Sequence, residues 1–339
     1  MANKRKNEQV MAGAIADSSL EPASRSVKAW LRLAGLVTLG TAGSLTVLLS
    51  AAMYPLSGLL VRPRLKRLSQ LKSPHLQNFI RKIGVEFEDV VILSFDGTRL
   101  YGWWMEAGKE SPTVIIFHGV KKNRTDVLRA ALVLRRAGMN VLVFDGRAHG
   151  SSEGRYVTYG YNERRDAEAA LDWLVSEKKI DKDRIGVAGE SMGAAIALQV
   201  AAHNPGIRAV WADSPFASLR RVAAEFLSRV THLPNVVVTP VLWTAIQMAN
   251  YRGKFDVNAI NPIELAGRIK CPVTLVHGTA DRLIATAHSE SIHAVLAGKK
   301  EIWFVEGARH ARSARYAKRE YSKRLVSFFD EHLRGQPAE

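Results

Sequence analysis

Short apolar runs alternate with longer segments of helical period over residues 85–335. The runs at 90–95 and 100–105 predict an antiparallel hairpin that turns at Asp96-Gly97. Six further strands are predicted at 113–117, 141–144, 185–188, 209–212, 273–276 and 302–305. Helical patterns lie near 124–137, 162–177, 192–203, 285–296 and 312–333. The alternation predicts an α/β, doubly wound fold, in which helices cover both faces of a mostly parallel, eight-stranded sheet.

Residues 217–268 interrupt this alternation, because they supply more than one helical pattern between two predicted strands. Residues 236–249 are apolar almost all round and include Trp243 and Met248. We expect a small helical cap over the C-terminal edge of the sheet. Trp243 and Met248 are candidates for binding an apolar part of a substrate, although apolar cap residues more often pack on one another.

The N-terminal part of the chain has a different pattern. Residues 1–32 are polar, mixed in charge and expected to be a flexible tail. The next run starts at Leu33, ends at Tyr54 and holds 22 residues without a charge. As a helix it would be about 33 Å long, enough to cross the hydrocarbon core of a bilayer. A cleavable signal peptide is the alternative, but the long polar leader favours an uncleaved single-pass anchor.

Residues 62–83 follow this run with apolar residues at roughly helical spacing, among which lie the basic residues Arg62, Arg64, Lys66, Arg67 and Lys72. Such a segment can lie on anionic headgroups, or it can be an ordinary solvated linker, and the sequence favours neither. Lys and Arg within twenty residues of the run number three before it and five after it. The side of the membrane that holds residues 85–335 is therefore left open.

Charge and cysteine content narrow the classes of function. Lys and Arg number 48 against 32 Asp and Glu, which gives a net charge of +16. A basic chain can bind nucleic acid or an anionic membrane, but no nucleic-acid-binding motif accompanies the charge, so no nucleic-acid partner is expected. The single cysteine, Cys271, excludes an intramolecular disulfide and a cysteine metal cluster.

The segment Gly189-Glu190-Ser191-Met192-Gly193 follows a predicted strand and opens a predicted helix. This G-x-S-x-G pattern places a serine on a tight strand–turn–helix elbow, with its hydroxyl above the sheet. Ser191 is therefore the candidate nucleophile. The N–H of Met192, the next residue, is a candidate donor to an oxyanion.

An acid and a histidine follow in the order that this chemistry requires. Asp281 comes after the strand at 273–276, and His310 comes after the strand at 302–305. Loops at the carboxyl ends of parallel strands share one edge of a sheet. His310 is thus the candidate base and Asp281 the acid that orients it. Asp213 is the alternative acid, but we expect it to be structural, satisfying N–H groups at the start of the cap.

The second oxyanion donor is expected after the strand at 113–117, where His118-Gly119-Val120 stands. Gly119 lets the backbone approach closely, and the N–H of Val120 is the candidate donor. His118 and His149 are interpreted as structural residues of their loops.

These motifs resemble those of the α/β-hydrolase superfamily, and most of all small-cap serine hydrolases such as abhydrolase-domain, dienelactone-hydrolase-like and prolyl-peptidase-like enzymes. The resemblance covers about residues 85–335 and rests on 117–119, 144–150, 189–193, 277–281 and 307–310. It implies hydrolysis of an ester, thioester or peptide bond, with no metal and no cofactor. The loop DGRAHG at 145–150 departs from the aromatic or Arg-Gly version that relatives more often carry.

The expected function is that of a membrane-anchored serine hydrolase that cleaves carboxylic esters or thioesters, with a small or lipid-like ester as substrate. One alternative is a serine peptidase of the same fold, which would need a group near the cap to bind a terminal ammonium or carboxylate. The other is a catalytically silent, membrane-tethered scaffold, against which the complete set of Ser191, Asp281 and His310 argues.

Overall fold

The computed structural model describes residues 57, 58, 61 and 84–334. The tail at 1–32, the predicted span at 33–54 and the basic segment at 62–83 lie outside the described residues. Within the described ranges, no helix is long and apolar enough to cross a membrane.

Eight strands form one sheet in the order β1-β2-β4-β3-β5-β6-β7-β8. They are β1 (Glu88–Leu93), β2 (Arg99–Met105), β3 (Thr113–Phe117), β4 (Asn140–Phe144), β5 (Ile185–Glu190), β6 (Ile207–Asp213), β7 (Val273–Gly278) and β8 (Lys300–Val305). Strand β2 is antiparallel to both of its neighbours, and every other pair is parallel. The predicted eight-stranded, mostly parallel sheet is confirmed.

Helices cover both faces of this sheet. They are α1 (Leu128–Arg136), α2 (Tyr161–Ser176), α3 (Met192–His203), α4 (Leu219–Thr231), α5 (Asn235–Gly253), α6 (Pro262–Ala266), α7 (Thr286–Val295), α8 (Ser313–Tyr316) and α9 (Lys318–Leu333). The prediction of a single helix at 312–333 is wrong in one respect. This segment is divided between α8 and α9 at Ala317, whose φ of −99° and ψ of 38° are not helical.

Alternation along the central strands divides the core into two layers. Ile115 and Phe117 point to the face that α2, α3 and α7 cover, whereas Val114 and Ile116 point to the face of α1 and α9. All five residues of β3 are buried, as are the five of β4. Burial on both faces explains why these strands are continuous apolar runs in the sequence.

The strand register brings the loops of interest to one edge of the sheet. Glu190 at the end of β5 pairs with Asp213 at the end of β6, which in turn pairs with Val276 on β7. Gly278, the last residue of β7, pairs with Val305, the last residue of β8. The loops that follow β5, β7 and β8 therefore leave the sheet at the same edge.

Helices α4 and α5 occupy the interval in which the cap is predicted, and they have their own apolar cluster. Its buried members include Leu242 and Ile246 of α5 together with Ala195 of α3 and Phe216 of the loop after β6. Val61, which precedes the body expected from the sequence, is fully buried in the same cluster. Its carbonyl accepts a hydrogen bond from the N–H of Val157 at 2.9 Å. The folded body therefore includes part of the chain before residue 85.

Candidate active site

Ser191 lies on a strained turn between β5 and α3. Its φ of 57° and ψ of −117° are rare for a residue with a side chain. Its N–H donates to the carbonyl of Asp213 at 2.8 Å, which holds the turn on the neighbouring strand. A Cβ on Gly193 would lie 2.2 Å from the carbonyl oxygen of Phe117, so only glycine fits at this position of the motif. The elbow thus presents the Ser191 hydroxyl above the end of the sheet.

His310 joins the nucleophile to the acid. The Ser191 hydroxyl lies 2.8 Å from His310 Nε2, and His310 Nδ1 lies 2.7 Å from Asp281 Oδ2. Because an ionised carboxylate can only accept, the ring proton belongs on Nδ1 and leaves Nε2 free to accept from the serine. The structure therefore brings together the three residues that the sequence singled out, in the arrangement of a base between a nucleophile and an acid.

The Asp281 carboxylate is fully buried and surrounded by donors. Oδ1 accepts from the N–H groups of Leu283 at 2.8 Å and Ile284 at 3.0 Å, and Oδ2 accepts from His310. Burial alone would raise the pKa of Asp281, but hydrogen bonds from His277 and His310 outweigh it and hold the pKa well below its usual range. The acid is therefore an anion at any pH at which the histidine can act as a base.

Sequence reasoning missed the role of His277. Its Nε2–H donates to the carbonyl of Ile284 at 2.9 Å and lies 3.3 Å from Asp281 Oδ2. Because the Ile284 carbonyl can only accept, the ring proton belongs on Nε2, and Nδ1 accepts from the Ser289 hydroxyl at 2.7 Å. This fully buried ring stabilises the position of the Asp281 carboxylate. Its place at the end of the strand before Asp281 was the available signal, because a buried histidine there needs polar partners.

The loop after β3 approaches the nucleophile closely. A Cβ on Gly119 would lie only 3.3 Å from the Cβ of Ser191. The Gly119 carbonyl accepts from His118 Nδ1–H at 2.9 Å and from the Lys122 N–H at 3.2 Å. Since a peptide plane points its C=O and N–H in opposite directions, these bonds fix the direction of the Val120 N–H.

The other candidate donor, the N–H of Met192, belongs to the first residue of α3 and has no acceptor within the helix. Both N–H groups therefore belong to backbone that is held in place beside Ser191. Their action as an oxyanion hole stays a prediction.

His118 is a neutral, fixed part of this loop. Its Nε2 accepts from the N–H of Gly146 at 2.9 Å, so both ring nitrogens are engaged. Burial is the main cause that lowers its pKa to about 4. His118 therefore has a structural role in this loop, which is to orient the Gly119 peptide.

A second tie joins this loop to the elbow. Lys122 Nζ lies 2.6 Å from Glu190 Oε1, and Glu190 directly precedes the nucleophile. Burial raises the pKa of the Glu190 carboxyl, and the Lys122 ammonium opposes that rise. The ion pair holds the loop after β3, which carries the Val120 N–H, at a fixed distance from Ser191.

Asp213 does not play the part expected of it at the start of the cap. Its Oδ1 accepts from the hydroxyls of Ser214 at 2.9 Å and Ser313 at 3.0 Å, not from backbone N–H groups of the cap. The Ser214 hydroxyl in turn accepts from the N–H of Ala311, next to His310. The expected contact was wrong because Asp213 points along the sheet edge toward the loop that carries the base. It supports that loop, while Asp281 holds the imidazole.

The loop DGRAHG at 145–150, whose sequence departs from that of its relatives, makes specific contacts with its neighbours. Arg147, which is 5% exposed, donates from Nε and Nη2 to the Asp166 carboxylate of α2 at 2.7 and 2.6 Å. His149 packs edge-to-face against His118, with ring centroids 4.9 Å apart. The loop after β4 is therefore anchored to a helix on one side and supports His118 on the other.

The cap residues proposed to bind substrate lie away from its buried interior. Trp243 is 55% exposed, and Met248 is only partly buried, whereas Leu242 and Ile246 pack inward. A substrate-binding role for Trp243 and Met248 stays a prediction. Within the ranges that the structure describes, no three His, Cys, Asp or Glu side chains are grouped so that they could hold a metal ion.

Comparison with known proteins agrees with this architecture. A model of the prolyl oligopeptidase family matches residues 124–336. The chain is 30% identical to the uncharacterized protein YqkD of Bacillus subtilis over 242 residues, which are 71% of this chain and 78% of YqkD.

Solved structures show the same similarity. The esterase Pf2001 of Pyrococcus furiosus is 28% identical, with a TM-score of 0.61 over 75% of this chain and 95% of the esterase. An acylaminoacyl peptidase of Pyrococcus horikoshii, 17% identical with a TM-score of 0.59 over 79% of this chain and 45% of the peptidase, shares the fold. The α/β-hydrolase fold expected from the motifs is confirmed. The chain belongs to the prolyl oligopeptidase family of α/β-hydrolases.

Proposed function

We propose that the protein is a membrane-anchored serine hydrolase that cleaves carboxylic esters or thioesters through an acyl-enzyme on Ser191. The observation that carries this proposal is the continuous hydrogen-bonded chain from Asp281 through His310 to Ser191, with distances of 2.7 and 2.8 Å. A serine alone is a weak nucleophile at neutral pH, and an adjacent base oriented by an acid is what activates it.

The geometry supports the following role for each group. The Ser191 oxygen attacks the carbonyl carbon of the substrate while His310 Nε2 takes the hydroxyl proton. The N–H groups of Val120 and Met192 donate to the oxyanion of the tetrahedral intermediate. Collapse breaks the bond to the leaving group, which takes the proton from His310. Water then attacks the acyl-serine by the same route, which releases a carboxylic acid and restores Ser191.

Two observations favour an ester over a peptide. The esterase Pf2001 is similar over nearly its whole length. Helices α4 and α5 contain a single acidic residue, Glu225, whose carboxylate already binds Arg221 and His288 at 2.9 Å each. Helices α4 and α5 thus offer no free carboxylate for the terminal ammonium of a peptide. A serine peptidase is nevertheless the second candidate, because the family is named for its peptidases and a peptidase shares the fold.

The membrane part of the proposal is supported by the uncharged run of 22 residues at 33–54. Its predicted helical length of about 33 Å matches the hydrocarbon core. Recovery of the full chain in the membrane pellet after extraction with alkaline carbonate would support the anchor. Release into the supernatant would contradict it.

The chemistry is tested by labelling the full chain with a fluorophosphonate probe and by measuring hydrolysis of p-nitrophenyl butyrate and of aminoacyl p-nitroanilides. We expect labelling and ester hydrolysis in the wild type, and loss of both in Ser191→Ala at an unchanged melting temperature. Hydrolysis of the anilides at a higher kcat/KM than the ester would favour the peptidase. Retention of most of the esterase kcat in Ser191→Ala would refute the assignment of the nucleophile.

A further inference from the structure

The outward face of α5 has an unusual composition for a helix in contact with water. Residues 235–251 contain no charged side chain. Trp243, Gln247 and Tyr251 recur every four residues and form one exposed stripe, with Trp243 at 55% and Tyr251 at 81% exposure. A helix face in water usually carries charges, whereas this stripe has two aromatic side chains and no charge.

Further exposed apolar side chains lie on α4 and in the turn after it. Phe226, Val230 and Leu233 are 47%, 59% and 45% exposed. Residues 217–254 contain five Lys and Arg but one acidic residue, Glu225, which is already paired. Exposed aromatic and aliphatic side chains combined with positive charge are the features of helices that bind anionic bilayers in the plane of the headgroups. Trp and Tyr favour that interface in particular.

The chain that leads to the predicted membrane span is attached to this same part of the cap. Val61 is buried beside Phe255, just after α5, and a Cβ on Gly58 would lie 3.1 Å from the Arg252 guanidinium. The predicted span ends at Tyr54, three residues before Ser57. Three residues reach about 10 Å at most. The chain between the predicted span and the cap is therefore short.

We propose that the exposed stripe of α5 lies in the headgroup region of an anionic bilayer, and that the substrate is an ester of a lipid that resides in this bilayer. This inference rests on the membrane anchor and the esterase activity proposed above. The cap cluster that lies beneath α5 includes Ala195 and Ile284, which are close in sequence to Ser191 and Asp281. Membrane contact at α5 thus places the bilayer beside the catalytic edge of the sheet.

The contact is tested with the full chain in vesicles of phosphatidylcholine and phosphatidylglycerol. In a Cys271→Ser background, which removes the single native cysteine, Gln247→Cys is labelled with the fluorophore NBD. Val175→Cys, on the exposed side of α2, is the matched control. We expect spin-labelled lipids to quench NBD at 247 at least threefold more than at 175. Equal quenching at the two positions would overturn the proposal.

The substrate class is tested by activity. Gln247→Glu combined with Tyr251→Glu adds two negative charges to the stripe, and Val175→Glu with Val295→Glu adds the same charge elsewhere on exposed helix surfaces. We expect the first variant to lose at least fivefold in rate on an ester embedded in anionic vesicles, with p-nitrophenyl butyrate hydrolysis unchanged, and the second to lose neither. Equal vesicle rates in both variants would overturn the lipid-substrate inference. If the wild type hydrolysed no ester at all, the proposed function would be refuted instead. The quenching comparison would still decide whether α5 contacts the bilayer.

Discussion

Replacing Asp281 by Asn exchanges one carboxylate oxygen for an NH2 group, and the structure defines where that group must point. Oδ1 accepts two backbone N–H groups, and Oδ2 accepts His310 Nδ1–H. If the NH2 group took the Oδ1 position, the N–H groups of Leu283 and of the buried Ile284 would lose their acceptor, and a buried donor left unpaired costs about 1–3 kcal/mol. At the Oδ2 position the NH2 group faces His310, and His277 Nε2–H, 3.3 Å away, keeps its hydrogen bond to the Ile284 carbonyl, so this orientation is favoured. The imidazole must then carry its proton on Nε2, where it can no longer accept from Ser191.

A histidine in the wrong tautomer cannot act as the base, and the loss in such a triad is on the order of 10⁴ in kcat, or about 5 kcal/mol in the activation free energy. Asp281→Asn should show this loss for p-nitrophenyl butyrate in a stopped or continuous assay. The melting temperature should fall by only a few degrees, because the amide keeps the volume of the side chain and two of its hydrogen bonds.

Asp213→Asn is the control, since Asp213 is equally buried and lies on the adjacent strand. Its Oδ1 accepts both hydroxyl contacts, and an amide oxygen can keep them. We expect less than a tenfold change in kcat. A loss of several orders of magnitude in Asp213→Asn, together with nearly normal activity in Asp281→Asn, would move the acid to Asp213 and refute the reasoning.

Three further predictions follow from buried contacts. A chain that begins at residue 56 should be about 1.5–3 kcal/mol more stable in urea unfolding than one that begins at residue 62, because the shorter chain loses the fully buried Val61. Between pH 6.5 and 4, His118 alone should lower the free energy of unfolding by about 3 kcal/mol, because it stays neutral to a pKa of about 4 in the folded state whereas the unfolded state takes up a proton earlier. His118→Asn should make the measured fall shallower by that amount. Lys122→Met should lower the esterase kcat roughly tenfold to a hundredfold at a nearly constant KM, because Glu190 and the Val120 loop lose their tie.

Each of these has an opposite outcome that would contradict it. Equal urea midpoints for the two truncated chains would mean that Val61 adds nothing to the cap. A free energy of unfolding that does not change between pH 6.5 and 4 would contradict a buried neutral His118. Lys121→Met is the matched control for the ion pair, since Lys121 is the exposed neighbour of Lys122. An equal loss of kcat in both lysine variants would remove the special role of Lys122.

The centre of the fold could be predicted from local pattern, and its periphery could not. The strand at 113–117 and the helix at 192–203 have the predicted bounds, because burial over most of their length makes these segments largely apolar. At the edge of the sheet, β1 runs over Glu88–Leu93 instead of the predicted 90–95, since the turn already begins where the Ser94 N–H donates to the Thr98 carbonyl. An edge strand is half solvated, so its apolar residues do not mark its ends.

The candidate site divides in the same way. Ser191, Asp281 and His310 each follow a strand and belong to a motif of fixed order, so the sequence identified all three and the structure brings them together. The supports of these residues were not visible. The ion pair of Lys122 with Glu190 joins positions 68 residues apart, and neither residue type is unusual in its own segment. Contacts of this kind follow from the strand order, which local pattern does not give.

The distance along the chain between Ser191 and His310, 119 residues, has a consequence for the protein while it is being made. A ribosome adds about 5–20 residues per second, so the base leaves the exit tunnel roughly 6–24 s after the nucleophile. During that interval the elbow can fold on β5, but the strand β8 that carries the histidine loop has not yet paired with β7. The nascent hydrolase therefore lacks its base until almost its last helix emerges, and it cannot cleave a substrate before its synthesis is nearly complete.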